Sequence, residues 1–145
     1  MNEAKFSKVV CGIIVARGGQ VSKVEAHASA NGIPDLDYCL GGIEGHIELK
    51  VAREGKASTV RPSQRIWMRD RTNAGGTPFY LVLITDLNLV CFVSDVMHPR
   101  CQAQVSSRRW VEMAEYTVPQ TELAESLAEY ILTGEIETHL MRGMA

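Results

Sequence analysis

The sequence predicts an α/β fold in which helices flank a mixed β-sheet, and three observations lead there. The run Phe79-Tyr80-Leu81-Val82-Leu83-Ile84 is short and wholly apolar, the pattern of a central strand covered on both faces. The stretches 35–40 and 46–51 instead alternate apolar and polar side chains, the period of a strand with two different faces. Both ends of the chain carry apolar residues at three- and four-residue spacings, as helices packed on a sheet do.

In chain order, Asn2 or an adjacent residue is expected to cap a first helix running to about Ala16, with Phe6, Val9, Val10, Ile13 and Ile14 recurring at three- and four-residue spacings. Glu3 falls in its first turn, where a carboxylate suits the helix dipole, and Gly18-Gly19 ends it. Val21 to Ala26 reads as a first strand, and a loop through Asn31-Gly32 leads to Pro34, whose fixed backbone sets Asp35 at the start of the next strand. Asp35, Asp37 and Cys39 alternate with Leu36, Tyr38 and Leu40. The glycine-rich 41–45 stretch turns the chain back, and His46, Glu48 and Lys50 then share one face opposite Ile47, Leu49 and Val51. Two hairpin registers are open: Asp35 opposite Glu48, or Asp37 opposite Glu48 with Asp35 diagonal. Either sets carboxylates against each other, which is unfavourable without a cation between them.

Residues 53–61 lack periodicity and read as a mobile basic loop. Pro62 opens a helix to about Thr72, with Gln64, Trp67, Met68 and Arg71 on one face, and Gly75-Gly76 closes it. Trp67 and Met68 are read as core contacts; Gln64 sits either at the exposed end of that face or toward the charged cluster. The central strand spans Pro78 to Thr85, Asp86-Leu87-Asn88 is a tight turn, and Leu89 to Val93 is a further strand. Helices are expected from Ser106 to Glu115 and from Gln120 to Leu132, separated by Pro119 and ended by Gly134. Residues 1–100 are assigned to the core and 101–145 to a helical extension that packs on it or forms a dimer surface.

With 145 residues, 46% of them hydrophobic, the chain can bury a substantial core. The best apolar run, Val9 to Ala16, is too short to span a membrane, and the protein is read as cytosolic. Cys11, Cys39, Cys91 and Cys101 are widely spaced without a C-x-x-C pair, so buried free thiols are expected rather than a zinc site or disulfides. The net charge of -2 hides an uneven distribution: from Lys50 to Arg71 seven basic residues face two acidic ones, and from Val111 onward seven acidic residues face one basic one. Basic charge beside a carboxylate cluster suits a phosphate-backbone ligand, although such a stretch can also be an ordinary solvated surface.

Glu3, Pro34-Asp35, Glu48-Leu49-Lys50 and a following helix bearing Gln64 together resemble the PD-(D/E)XK nuclease superfamily. The runs Glu3-Ala4-Lys5-Phe6, Gly32-Ile33-Pro34-Asp35-Leu36 and Arg61-Pro62-Ser63-Gln64 are most similar to its VRR-NUC branch, which includes small phage-type nucleases and Holliday junction resolvases. The resemblance covers about residues 3 to 93. It implies a restriction-endonuclease-like fold and a metal-dependent DNA endonuclease, with branched DNA as one candidate substrate. Asp35, one oxygen of Glu48 and the carbonyl of Leu49 would hold Mg2+, with Mn2+ as a substitute. Lys50 would orient water or stabilise the phosphate, Glu3 would serve as a further carboxylate, and Gln64 would lie at the edge of the site. Arg53, Lys56, Arg61, Arg65 and Arg69 would contact DNA, and cutting a four-way junction symmetrically would require a homodimer. Asp37 and Glu44 fit no motif position; His27 and His46 are read as exposed strand-end residues. Two other functions remain open at this level: a non-catalytic nucleic-acid-binding module and a protein-interaction domain without a nucleic-acid role.

Overall fold

The structure, a computed structural model, describes residues 1–25, 31–94 and 104–137. Its elements are α1 (Glu3–Ala16), β1 (Gln20–Lys23), β2 (Leu36–Leu40), β3 (Ile43–Ala52), β4 (Ser58–Thr59), α2 (Pro62–Asn73), β5 (Phe79–Ile84), β6 (Leu89–Val93), β7 (Gln104–Val105), α3 (Ser107–Met113), β8 (Tyr116–Pro119) and α4 (Leu123–Thr133). Six strands form one sheet in the order β1-β2-β3-β5-β6-β8, and β4 and β7 form a separate two-stranded ladder. Only β3 and β5 run parallel; the other pairs in the main sheet are antiparallel. The architecture is therefore the expected mixed sheet flanked by helices.

Local chemistry accounts for the placement of these elements. Asn2 caps α1, its side chain accepting from the Lys5 N–H at 2.9 Å. Gly41 and Gly42, both at positive φ, make a two-residue turn that joins Leu40 directly to its partner Ile43. That turn fixes the register, with Leu36 opposite Ile47 and Asp37 opposite His46, so continuing the ladder one step sets Asp35 against Glu48. Of the two registers open from sequence, the structure has the first.

The two faces of the sheet bury different clusters. On one, Phe6, Val10 and Ile14 of α1 and Leu123, Leu127 and Ile131 of α4 pack against Leu36, Ile47, Leu49, Leu81 and Val90. On the other, Met68 of α2 and Trp110 of α3 cover Tyr80, Val82, Cys91 and Val93. Every residue of β5 is buried, which is why its sequence shows no alternation.

Several expectations need correction. The 53–61 segment is not without structure: Arg53 bridges Lys56, and Ser58–Thr59 pairs with Gln104–Val105. The helices expected after Ser106 are separated by a strand, β8, which pairs with β6 and extends the main sheet. Four residues between two helical patterns are too few to show a period, and Pro119 at the end of an edge strand looks in sequence like a plain helix break. The first strand ends at Lys23, short of Ala26. Among the described cysteines Cys91 is buried, whereas Cys11 and Cys39 are only half-buried; all three are free. Cys101 and His27 lie outside the described residues. Among the described residues no helix is long and apolar enough to cross a membrane.

Candidate active site

The site forms where the β2–β3 ladder ends. Asp35 stands one residue before β2, so its side chain takes over where backbone pairing stops. Its N–H donates to Glu48 Oε1 at 3.1 Å, and its Oδ2 accepts from the Leu49 N–H at 3.0 Å. These reciprocal bonds hold the two carboxylates side by side at a defined spacing. Pro34, immediately before, is buried and restricts the backbone entering the pair.

Glu48 and Lys50 project from the α2 side of β3 and are 3% and 7% exposed. Lys50 Nζ lies 3.2 Å from Glu48 Oε2. Gln64 closes the cluster: its Nε2 donates to Glu48 Oε2 at 2.8 Å, while its Oε1 accepts from Lys50 Nζ at 3.3 Å and from the Arg61 N–H at 3.0 Å. Gln64 thus satisfies an orphan donor at the start of α2 and ties that helix to both charged residues. Of the two positions considered from sequence, it occupies the one toward the cluster.

Sequence inspection missed one partner. Lys50 Nζ also donates to the main-chain carbonyl of Thr59 at 2.7 Å, so all three ammonium protons have acceptors. Thr59 is brought there by the β4–β7 ladder, which spans from the loop after β3 to the segment before α3. A main-chain acceptor leaves no signature in residue identity, so no motif could have located it.

The electrostatics are those of a crowded anionic site. Burial, reinforced by Asp35, pushes the Glu48 carboxyl up to about 7 even though Lys50 works in the opposite direction. Burial also raises Glu3, opposed by Lys50 and reinforced by Asp35, which puts Glu3 within electrostatic reach of both. A cleft of about 230 Å³ joins Glu3 to Asp35, Lys23 and Leu49. A second groove, about 410 Å³, runs from Glu3 past Lys50 to Arg53, Lys56 and Thr59. A larger cavity of about 580 Å³, under Phe79 and Tyr130, contains none of these site residues.

Among the described residues no three acidic, histidine or cysteine side chains converge as a complete metal cage. The donor chemistry nonetheless fits Mg2+. That ion is commonly held by one or two carboxylates, with water and substrate phosphate filling the remaining positions, and Asp35 and Glu48 are a pinned pair of hard oxygen donors whose mutual repulsion a cation would relieve. Glu3 neighbours this pair as a third carboxylate and does not complete a cage with it.

The basic residues divide. Arg53 and Lys56 are exposed and line the 410 Å³ groove, and Arg61 is exposed at the N-cap of α2. Arg69 is ion-paired with Asp70 at 3.1 Å. Arg65 is only 5% exposed and belongs to the packed side of α2, so the open contact with DNA expected of it is not available to its buried side chain. Asp37 is exposed opposite His46, two pairs down the ladder from Asp35 and Glu48. His46 is half-buried instead of exposed, and burial lowers its pKa against the pull of Asp37.

No protein-family model matches the chain, and no curated protein matches it in sequence. Its fold, a mostly antiparallel mixed sheet flanked by helices, is nevertheless one found in solved proteins. Among these is Archaeoglobus fulgidus Hjc, a Holliday junction resolvase from an archaeal hyperthermophile. The two are 13% identical with a TM-score of 0.55, over 85% of this chain and 95% of that one. At that identity the likeness is one of fold.

Proposed function

We propose that the protein is a metal-dependent DNA endonuclease that hydrolyses phosphodiester bonds, with branched DNA such as a four-way junction as its substrate class. The observation that carries this reading is the single hydrogen-bonded network of Asp35, Glu48, Lys50 and Gln64, of which Lys50 lines a groove edged by Arg53 and Lys56. The fold shared with a Holliday junction resolvase supports it. So do the sequence runs around Glu3, Asp35 and Gln64, on which the finer placement in the VRR-NUC branch rests alone.

In this reading Asp35 and Glu48 hold Mg2+ or Mn2+ together with the Leu49 carbonyl. When bound, the cation neutralises charge on the phosphate and activates the attacking water. Lys50 supplies a fixed positive charge beside the reacting phosphate. To touch water or phosphate it gives up one internal acceptor, and Gln64 at 3.3 Å is the longest of the three. Glu3 acts as an outer carboxylate that tunes this balance. Arg53, Lys56, Arg61 and Arg69 track the backbone. A four-way junction requires two symmetric cuts, so the active form is a two-fold dimer. The free thiols at Cys11, Cys39 and Cys91 suit a reducing, cytoplasmic setting.

One observation favours a non-catalytic binding module instead: every Lys50 donor already has a partner inside the protein. That reading predicts salt-sensitive DNA binding without metal and without cleavage. The deciding experiment incubates the protein with duplex, single-stranded, flap and four-way-junction DNA in Mg2+ or EDTA. Mg2+-dependent cuts that disappear in Asp35→Ala are expected. Cleavage that persists in Asp35→Ala, or in EDTA, would sink the proposal.

A further inference from the structure

About one turn along α2 from Gln64, Trp67 and Arg71 form a second cluster that the catalytic network does not use. Arg71 Cζ lies 4.5 Å from the centroid of the Trp67 ring. His46 of β3 meets the same indole edge-on, with centroids 5.0 Å apart and planes at 68°. These contacts fix the ring at a half-buried position. Beside it opens a groove of about 410 Å³ lined by Asn31, Ser63, Ile66, Trp67, Asp70 and Arg71. Gly32, at φ +95°, packs so closely on the start of α2 that a Cβ there would run into the Ser63 carbonyl, and this approach sets Asn31 at the rim.

We propose that this groove receives an unpaired nucleobase of the DNA strand adjacent to the scissile phosphate, stacked against the Trp67–Arg71 pair; the inference rests on the nuclease reading above. Bases stack on aromatic rings and on guanidinium planes alike. Asp70, held by Arg69 through Oδ1, lines the same groove and repels a phosphate, whereas a carboxylate accepts readily from the N–H groups of a base edge. The Asn31 amide adds both a donor and an acceptor. Ile66, 44% exposed, supplies apolar surface beside the ring. Position completes the argument. Gln64 and Trp67 are three residues apart on one helix, a rise of roughly 4.5 Å, so the groove lies about one helical turn from the residue that bonds Glu48 and Lys50. A base locked in a duplex cannot enter, which makes the groove a device that selects strands with a gap, flap or branch.

The test uses two DNA substrates of equal length, one fully paired and one carrying a single unpaired 2-aminopurine, titrated in EDTA with wild type, Trp67→Ala and Trp67→Phe. With wild type, 2-aminopurine emission is expected to be quenched on binding. Trp67→Ala is expected to weaken binding of the unpaired substrate about 5- to 150-fold, the range of base–aromatic stacking, and to leave paired-duplex binding within about twofold. Trp67→Phe keeps an aromatic face and is expected to retain the preference, so general misfolding of the alanine variant cannot imitate the result. Equal effects of Trp67→Ala on both substrates, or none, would overturn the stacking site while Mg2+-dependent cleavage by wild type still upheld the nuclease. Failure of wild type to bind or cut any DNA would overturn both.

Discussion

Glu48→Gln exposes the electrostatic cost of assembling the site. In the metal-free protein burial and Asp35 push the Glu48 carboxyl up to about 7 from 4.5, so between those values the folded state keeps a proton that the unfolded chain has released. The folded state therefore binds more protons in that window, and its stability falls as pH rises from about 4.5 to 7 and then levels off. The difference of about 2.5 pH units, at roughly 1.4 kcal/mol each, is on the order of 3 kcal/mol. For a domain of this size that is roughly 10 °C in Tm. Glutamine has no proton to lose, so Glu48→Gln should gain about that much on wild type between pH 4.5 and 8. Thermal melts of both proteins in EDTA across this range check it. A gap between the two proteins that stays constant to within about 1 kcal/mol would refute the buried, mutually repelling carboxylate pair. Adding Mg2+ at pH 8 should raise the Tm of wild type and leave Glu48→Gln nearly unmoved, because ligation needs the ionised carboxylate.

Lys50→Met should abolish cleavage and, by removing the cation beside the buried Glu48 carboxylate, cost about 1–2 kcal/mol at pH 8, a loss capped because the carboxyl can take up a proton. The loss should shrink near pH 5, where Glu48 is protonated, as paired melts at the two pH values would show. Gly32→Ala drives a Cβ into the Ser63 carbonyl at a positive φ, so a destabilisation of more than about 1 kcal/mol in urea unfolding is expected. The double substitution Arg53→Ala with Lys56→Ala removes two exposed charges from the groove and should lower the salt slope of DNA binding by about 2, measured by titration at several ionic strengths.

The elements that sequence reading located are those in which each residue reports its own environment. Buried β5 shows an unbroken apolar run, β3 alternates so that Glu48 and Lys50 emerge on one face, and Asn2, Pro62 and Gly134 mark helix ends by local chemistry. Tyr116–Pro119 was illegible because its strand identity comes from pairing with β6, a partner remote in the chain.

For the candidate site the division runs along the same line. The sequence by itself determined that Asp35, Glu48 and Lys50 share a hairpin, since a glycine-rich turn and a period of two left two registers, between which the Gly41-Gly42 turn of the folded chain decided. It also placed Gln64 on the next helix. Only the tertiary structure decided that Gln64 would bond both Glu48 and Lys50, and that the Thr59 carbonyl would take the third Lys50 proton. Folding likewise buried Arg65 away from the exposed basic surface and set Trp67 beside an open groove. Those outcomes depend on how α2 and the β4–β7 ladder dock on the sheet, and docking is decided by packing between distant segments, which no local pattern encodes.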